Sequence, residues 1–210
     1  MNRRLALLVL PLLLLVVAGC TAGNADDEPA SRPAAAERPS PFRDCSTLGT
    51  APTAATTAPT TTGTTAAAGG QALPELTLSC FTGGAPVALR DVAGPAVINV
   101  WASWCGPCRK ELPAFQRLSE RTAGQLQVVG VNTRDSRGGA QSIGEDFGVR
   151  FPILVDQGDA LQRELKRNAF PLTLFVDADG RIRHIDATGA LDDAQLVKLV
   201  RQHLGLAVPA

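Results

Sequence analysis

Tyrosine is missing altogether from these 210 residues, which hold only two tryptophans, seven phenylalanines, two histidines and one methionine. A charge surplus is missing too. The 20 Lys and Arg are balanced by 20 Asp and Glu, so nothing in the net charge points to nucleic acid as a partner. There is no nucleotide-binding motif and no Cys-x-x-Cys-His run of the kind that attaches c-type haem. The N-terminal apolar stretch, residues 5–18, is interrupted by Pro11 and is short for a membrane-spanning helix. What the chain does have is abundant Ala, Thr, Pro and Gly, much of it in one segment, and 45% hydrophobic residues. That is ample for one domain of ordinary size with appendages.

The appendages come first. Arg3 and Arg4 precede the apolar stretch, as in an export signal, although the arginine pair alone does not establish twin-arginine export. The segment ends Val17-Ala18-Gly19-Cys20, which resembles the lipobox of bacterial lipoproteins. The resemblance implies cleavage after residue 19 and a diacylglycerol thioether on Cys20. An ordinary signal peptide with a chance cysteine, or an uncleaved anchor, is the alternative. Residues 20–70 read as a tether, because 24–41 are rich in Ala, Pro and charge and 51–70 are almost wholly Thr, Ala, Pro and Gly. Such compositions bury too little apolar surface to offset the entropy of ordering. Within the tether, residues 42–48 form a small apolar island that includes Cys45.

Export bears on the cysteines. Beyond the membrane disulfides persist, so a Cys-x-x-Cys there is more readily a redox pair than a zinc ligand set. With Cys20 set aside, four cysteines remain and allow three pairings. We expect Cys105–Cys108 and Cys45–Cys80, the second pinning the island to the domain; a free Cys45, or one bonded to another chain, is the alternative.

The chain is organised around residues 101–113, Trp-Ala-Ser-Trp-Cys-Gly-Pro-Cys-Arg-Lys-Glu-Leu-Pro, which follow an apolar run at 96–100. We read a buried strand, a loop carrying both cysteines, and a helix with Cys105 at or just before its first turn. A thiol there sits near unpaired N–H groups and the positive end of the helix dipole, which favours thiolate. Cys108, a turn further on, can then attack the mixed disulfide that Cys105 forms. Pro107 suits a first turn, Gly106 keeps the approach to Cys105 open, and Pro113 should kink the helix.

Trp-Cys-Gly-Pro-Cys with a proline five residues after the second cysteine resembles the thioredoxin superfamily. The longer string from Val97 to Pro113 is similar to its TlpA/ResA-like extracytoplasmic branch, and the resemblance covers residues 72–207. It implies an α/β thioredoxin fold, a central mixed sheet flanked by helices, with an N-terminal β-hairpin and an inserted helix–strand unit. The residue pattern agrees. Strands are expected at 76–80, 87–89, 96–101, 126–131, 153–155, 172–176 and 181–185, and helices at 111–122, 141–147, 160–167 and 192–204. The folded domain is expected over 71–210.

Two more positions join the site. Pro171 cannot donate to a ladder and should start a strand or sit in a cis turn; the resemblance implies a cis-proline beside the cysteines that leaves the preceding backbone free to bind substrate as an added strand. Pro152 is expected to be trans. Glu111 matches a Glu that the TlpA/ResA-like branch keeps near the pair, while Asn99 stands where many thioredoxins have a buried Asp. Glu111 is either a proton acceptor for the resolving thiol, which needs burial, or a first-turn residue favoured by the helix dipole. Trp104 should shield the pair and Trp101 should be core. His184 and His203 read as surface residues, and Asp177 and Asp179 as turn chemistry.

Together these readings imply a thiol-disulfide oxidoreductase, lipid-anchored on the outer face of the cytoplasmic membrane and needing no cofactor beyond the cysteine pair. The resemblance implies that it reduces exported proteins such as apocytochrome c and draws electrons from a membrane thiol-disulfide carrier. A disulfide-forming oxidant is the alternative. A peroxiredoxin would need a Pro-x-x-x-Thr-x-x-Cys setting that neither Cys105 nor Cys80 has. A Sco-like copper chaperone, with His184 as distant ligand, would need three residues between the cysteines.

Overall fold

The computed structural model describes residues 38–52 and 70–209. In chain order its elements are β1 (Gln71–Ala72), β2 (Thr77–Cys80), β3 (Val87–Ala88), β4 (Ala96–Trp101), α1 (Gly106–Arg121), β5 (Gln127–Thr133), α2 (Arg137–Asp146), β6 (Ile153–Asp156), α3 (Ala160–Glu164), β7 (Leu172–Val176), β8 (Arg181–Asp186) and α4 (Asp193–Leu204). The strands form one mixed sheet in the order β1-β8-β7-β4-β5-β6-β2-β3. β4, β5 and β6 are parallel, and β7 runs antiparallel against β4. This is the expected α/β architecture, with the β2–β3 hairpin ahead of the first core strand.

Central strand β4 is buried along its whole length, as its unbroken apolar sequence requires where both faces are covered. Successive side chains alternate between faces. Ala96, Ile98 and Val100 therefore pack with Cys45, Leu48, Leu89 and Leu161 on one side, while Val97 and Trp101 pack with Cys108, Leu112, Phe115 and Val200 on the other. Trp101 fits because Gly130, the β5 partner of Asn99 two residues back along β4, is small: a Cβ there would lie 3.0 Å from the indole nitrogen. α4 is closed by a capping box at Asp192 and Gln195 and ends at Gly205 in the left-handed region.

Ordered structure starts earlier than the sequence suggests. Phe42, Cys45 and Leu48 are buried, so residues 39–52 are a strap on the domain and not part of a tether. Phe42 lies against Gly144 of α2, where a Cβ would come within 2.5 Å of the ring, and edge-on to Phe81 at 4.8 Å. The strap's backbone is paired through Arg43 N–H to the Arg150 carbonyl and through the Leu48 carbonyl from Ala93 N–H. Cys45 and Cys80 form a disulfide with their Cα atoms 6.0 Å apart. The Thr/Ala-rich run at 53–69 and the whole N-terminal segment through residue 37 lie outside the described residues.

Other boundaries also move. α1 starts at Gly106 with Cys105 just before it, as the motif implied, although the helical pattern itself was legible only from residue 111; it runs through Pro113. α2 starts at Arg137, where the Ser136 hydroxyl accepts from Gly139 N–H; two glycines in its first turn hid the helix. α3 stops at Glu164, ahead of Lys166, which has φ 53°. β1 was not foreseen. The histidines are not free on the surface but stack ring on ring, centroids 4.0 Å apart, against Phe175.

Candidate active site

Cys105 is the N-cap of α1. Its sulfur accepts the Cys108 N–H at 3.2 Å, and the two sulfurs are bonded to each other. Gly106 and Pro107 fill the first two helical positions, which keeps the Cα separation to 5.3 Å. A Cβ on Gly106 would meet nothing within 4 Å, so the approach to the pair is open there. Cys108 is fully buried and Cys105 is 4% exposed. Both are buried, and what solvent access the pair has is through Cys105, the order that attack and resolution require.

Geometry ahead of Cys105 is set by a residue that sequence reasoning missed. Asp135, just after β5, accepts from Ser103 N–H at 2.5 Å and from the Ser103 hydroxyl at 2.6 Å. It also accepts from Asn132 and from Ser136 N–H, both at 2.8 Å. Four donors on one carboxylate fix the loop that delivers the cysteines. No local signal marks it, since Ser103 and Asp135 are 32 residues apart. Next to this clamp, Trp104 donates its indole N–H to the Arg134 carbonyl at 2.9 Å and meets Phe170 edge-on at 5.1 Å. Trp104 is 55% exposed, so it forms a protruding lip beside the pair more than a cover over it. The Phe170–Pro171 peptide bond is cis, as expected, and the Trp104–Phe170 contact brings that turn to the cysteine loop. Gly94–Pro95, which had no such expectation, is also cis.

Glu111 is buried, and it is not in the first turn of α1, which rules out the dipole reading. It stands over a polar row crossing the sheet. Asn99, Thr173 and Asp186 are consecutive partners on β4, β7 and β8, and all three are buried. Asn99 donates Nδ2 to Glu111 Oε1 at 2.6 Å, and Leu191 N–H, at the entry to α4, donates to Oε2 at 3.1 Å. Burial pushes the Glu111 carboxyl up to about 7; the two hydrogen bonds oppose that rise and the charge of Asp186 adds to it. The Oδ1 of Asn99 has no partner. A protonated Glu111 could donate to that oxygen once the amide turned over, so Asn99 can serve both protonation states.

Of the predicted site residues, the structure thus brings together Trp104, Cys105, Gly106, Pro107, Cys108, Glu111 and Pro171. Cys45–Cys80 is a separate disulfide on β2, and Cys20 lies outside the described residues. Among the described residues no group of three or more His, Cys, Asp or Glu is placed to hold a metal ion.

Comparison with known proteins follows the same lines. Residues 67–198 match the Redoxin family. The thioredoxin-like protein YneN of Bacillus subtilis is 32% identical over 55% of this chain and 69% of its own length. The thiol-disulfide oxidoreductase ResA of Geobacillus thermodenitrificans is 30% identical over 67% of this chain and 78% of its own. Among solved structures, a secreted thiol-disulfide isomerase from Corynebacterium glutamicum superposes with a TM-score of 0.53 at 26% identity, covering 60% of this chain and 81% of that one.

Proposed function

This chain belongs to the Redoxin family, in its TlpA/ResA-like thioredoxin branch, and is a thiol-disulfide oxidoreductase; on that premise we propose that it reduces disulfides of exported proteins from the outer face of the cytoplasmic membrane, with apocytochrome c as a substrate. The observation that carries this reading is the Cys105–Cys108 pair at the start of α1, with Cys108 fully buried and Cys105 the one of the two that keeps some exposure. Cys105 thiolate attacks a substrate disulfide, one substrate sulfur leaves as thiolate and takes a proton, and a mixed disulfide remains. Cys108 then attacks Cys105, which releases the second substrate thiol and leaves Cys105–Cys108 oxidised. Two electrons pass to the substrate, and a membrane thiol-disulfide carrier restores the dithiol.

Glu111, a turn along α1 from Cys108, is the acceptor for the resolving thiol's proton. With a carboxyl near 7 it changes state in the range where it must act. Asp135 is a positioning residue for the cysteine loop. Location outside the cell is supported by the secreted C. glutamicum neighbour and by the Arg3–Ala18 export signal, and anchoring by the lipobox ending at Cys20. No helix among the described residues is long and apolar enough to cross a membrane.

The test is to replace Cys108 with Ser and incubate the variant with an oxidised substrate protein. A stable mixed disulfide through Cys105 is expected, and none should form with Cys105→Ser. Failure of both to trap substrate would refute the assignment of roles. The potential of the pair gives the direction: about −270 mV or below fits a reductant, and about −120 mV would make the chain an oxidant.

A further inference from the structure

The chain's formal charge is zero, yet its charges are not evenly spread around the site. A groove of about 340 Å³ opens between the turn after β5 and the end of α3, lined by Arg134, Asp159, Arg163, Lys166 and Arg167. Asp159 is already tied to Arg163. Arg134, Lys166 and Arg167 are exposed and make no ion pair with any described residue. Through Arg134 the groove is linked to Trp104, the residue before Cys105. The carbonyl of Arg134 holds the Trp104 indole, and its guanidinium lies 5.0 Å from the centre of the Phe170 ring. Arg134 and Lys166 are, besides, the two non-glycine residues with left-handed backbone among those described, φ 49° and 53°. Unfavourable backbone kept at two groove residues, and among the described residues at no other side-chain-bearing one, marks a place where conformation serves more than packing.

We propose that this groove docks an acidic segment flanking the target disulfide of the substrate protein, so that the oxidoreductase selects partners by charge next to the reacting sulfur. The inference rests on the oxidoreductase reading of Cys105 and Cys108 and adds a substrate class to it. A polypeptide is favoured over a membrane surface because the cations line a concavity, which a chain can enter and a bilayer plane cannot. Cations in a partly enclosed groove raise the local concentration of an acidic partner and its rate of encounter, and salt screens the effect.

The experiment uses the full chain, reduced beforehand, in single-turnover transfer to three peptides with the same internal disulfide and flanks of four aspartates, four serines or four lysines. At low salt the acidic peptide should react roughly 10-fold faster than the serine peptide and the lysine peptide more slowly than either. The preference should collapse at about 0.5 M salt. In the double variant Lys166→Glu/Arg167→Glu it should vanish or reverse while the reduction potential of the Cys105–Cys108 pair stays the same. Equal rates for the three peptides, or a preference that survives the double variant, would overturn this proposal and leave the oxidoreductase reading standing. No transfer to any peptide would overturn both. Indifferent peptide rates, together with binding to phosphatidylglycerol vesicles that the double variant loses, would overturn it in favour of the membrane surface.

Discussion

Replacing Glu111 with Gln separates the cost of this residue from its use. A carboxyl raised from 4.5 to about 7 is disfavoured as carboxylate by roughly 3 kcal/mol. Between those pH values the native protein holds a proton that the unfolded chain has released, so stability falls as pH rises and the full cost is present above about pH 7. Gln has no such proton. It can still accept the Leu191 N–H through its oxygen and, with the Asn99 amide turned over, donate to the Oδ1 that now has no partner. The difference in unfolding free energy, variant minus wild type, is therefore expected to increase by about 2.5 kcal/mol from pH 5 to pH 8. Urea unfolding at both pH values, with the cysteines oxidised, measures it. Taking the difference cancels the other titrating groups, since they are common to both proteins. Transfer to substrate should respond in the opposite sense, the variant losing the rise in rate near pH 7 that a proton acceptor produces. Parallel stability curves would refute the burial argument. An unchanged pH–rate profile would refute the proton-acceptor role even if the stability result held.

Three further outcomes are expected. Asp135→Ala frees Ser103 from the clamp and should cost about 2 kcal/mol, with slower transfer at an unchanged Cys45–Cys80 disulfide; stability and rates equal to wild type would show that the loop holds itself. Cys45→Ala/Cys80→Ala releases the strap and opens a cross-link of sequence separation 35, worth up to about 4 kcal/mol in chain entropy, which thermal unfolding reads. His203 is held below the usual histidine range, first by burial and then by the charge of His184, so the native state resists a proton that the unfolded chain takes up. Stability should accordingly drop as pH falls below about 6.5, and His203→Gln should flatten that acid limb in a pH series of melting temperatures.

The legible features share a short range. Strand β4, the β2–β3 hairpin, the Asp177 turn and the α4 cap were all readable because each depends on side chains within a few residues of one another. The Asp177 carboxylate, for example, accepts from the backbone of Asp179 and Arg181, as a turn residue should. The cysteine motif was readable for the same reason, being one helical turn with its cap. Misreadings occurred where a neighbour distant in sequence decides. The island at 42–48 was set within the tether and expected to be pinned by Cys45–Cys80, which it is, but its packing could not be read, because Phe42 finds its place only where Gly144 leaves room for the ring. The start of α2 was missed because Gly138 and Gly139 argue against helix, while a Cβ on Gly139 would lie 2.6 Å from the Ser103 hydroxyl. Helix propensity gives way there to close packing against the active-site loop.

By itself the sequence determined that a buried strand runs into a helix capped by Cys105, and therefore that two sulfurs sit a turn apart at a helix start. It also determined the alternation of strands and helices that makes a mixed sheet, because both follow from spacing along the backbone. Tertiary structure alone decided the electrostatics. The raised Glu111 carboxyl comes from burial over Asn99, Thr173 and Asp186, which reach one row only through strand pairing. The four-donor grip of Asp135 and the cations beside Trp104 likewise depend on loops meeting across the sheet. Desolvation and charge act through space, and the distances that govern them exist only once the chain has folded.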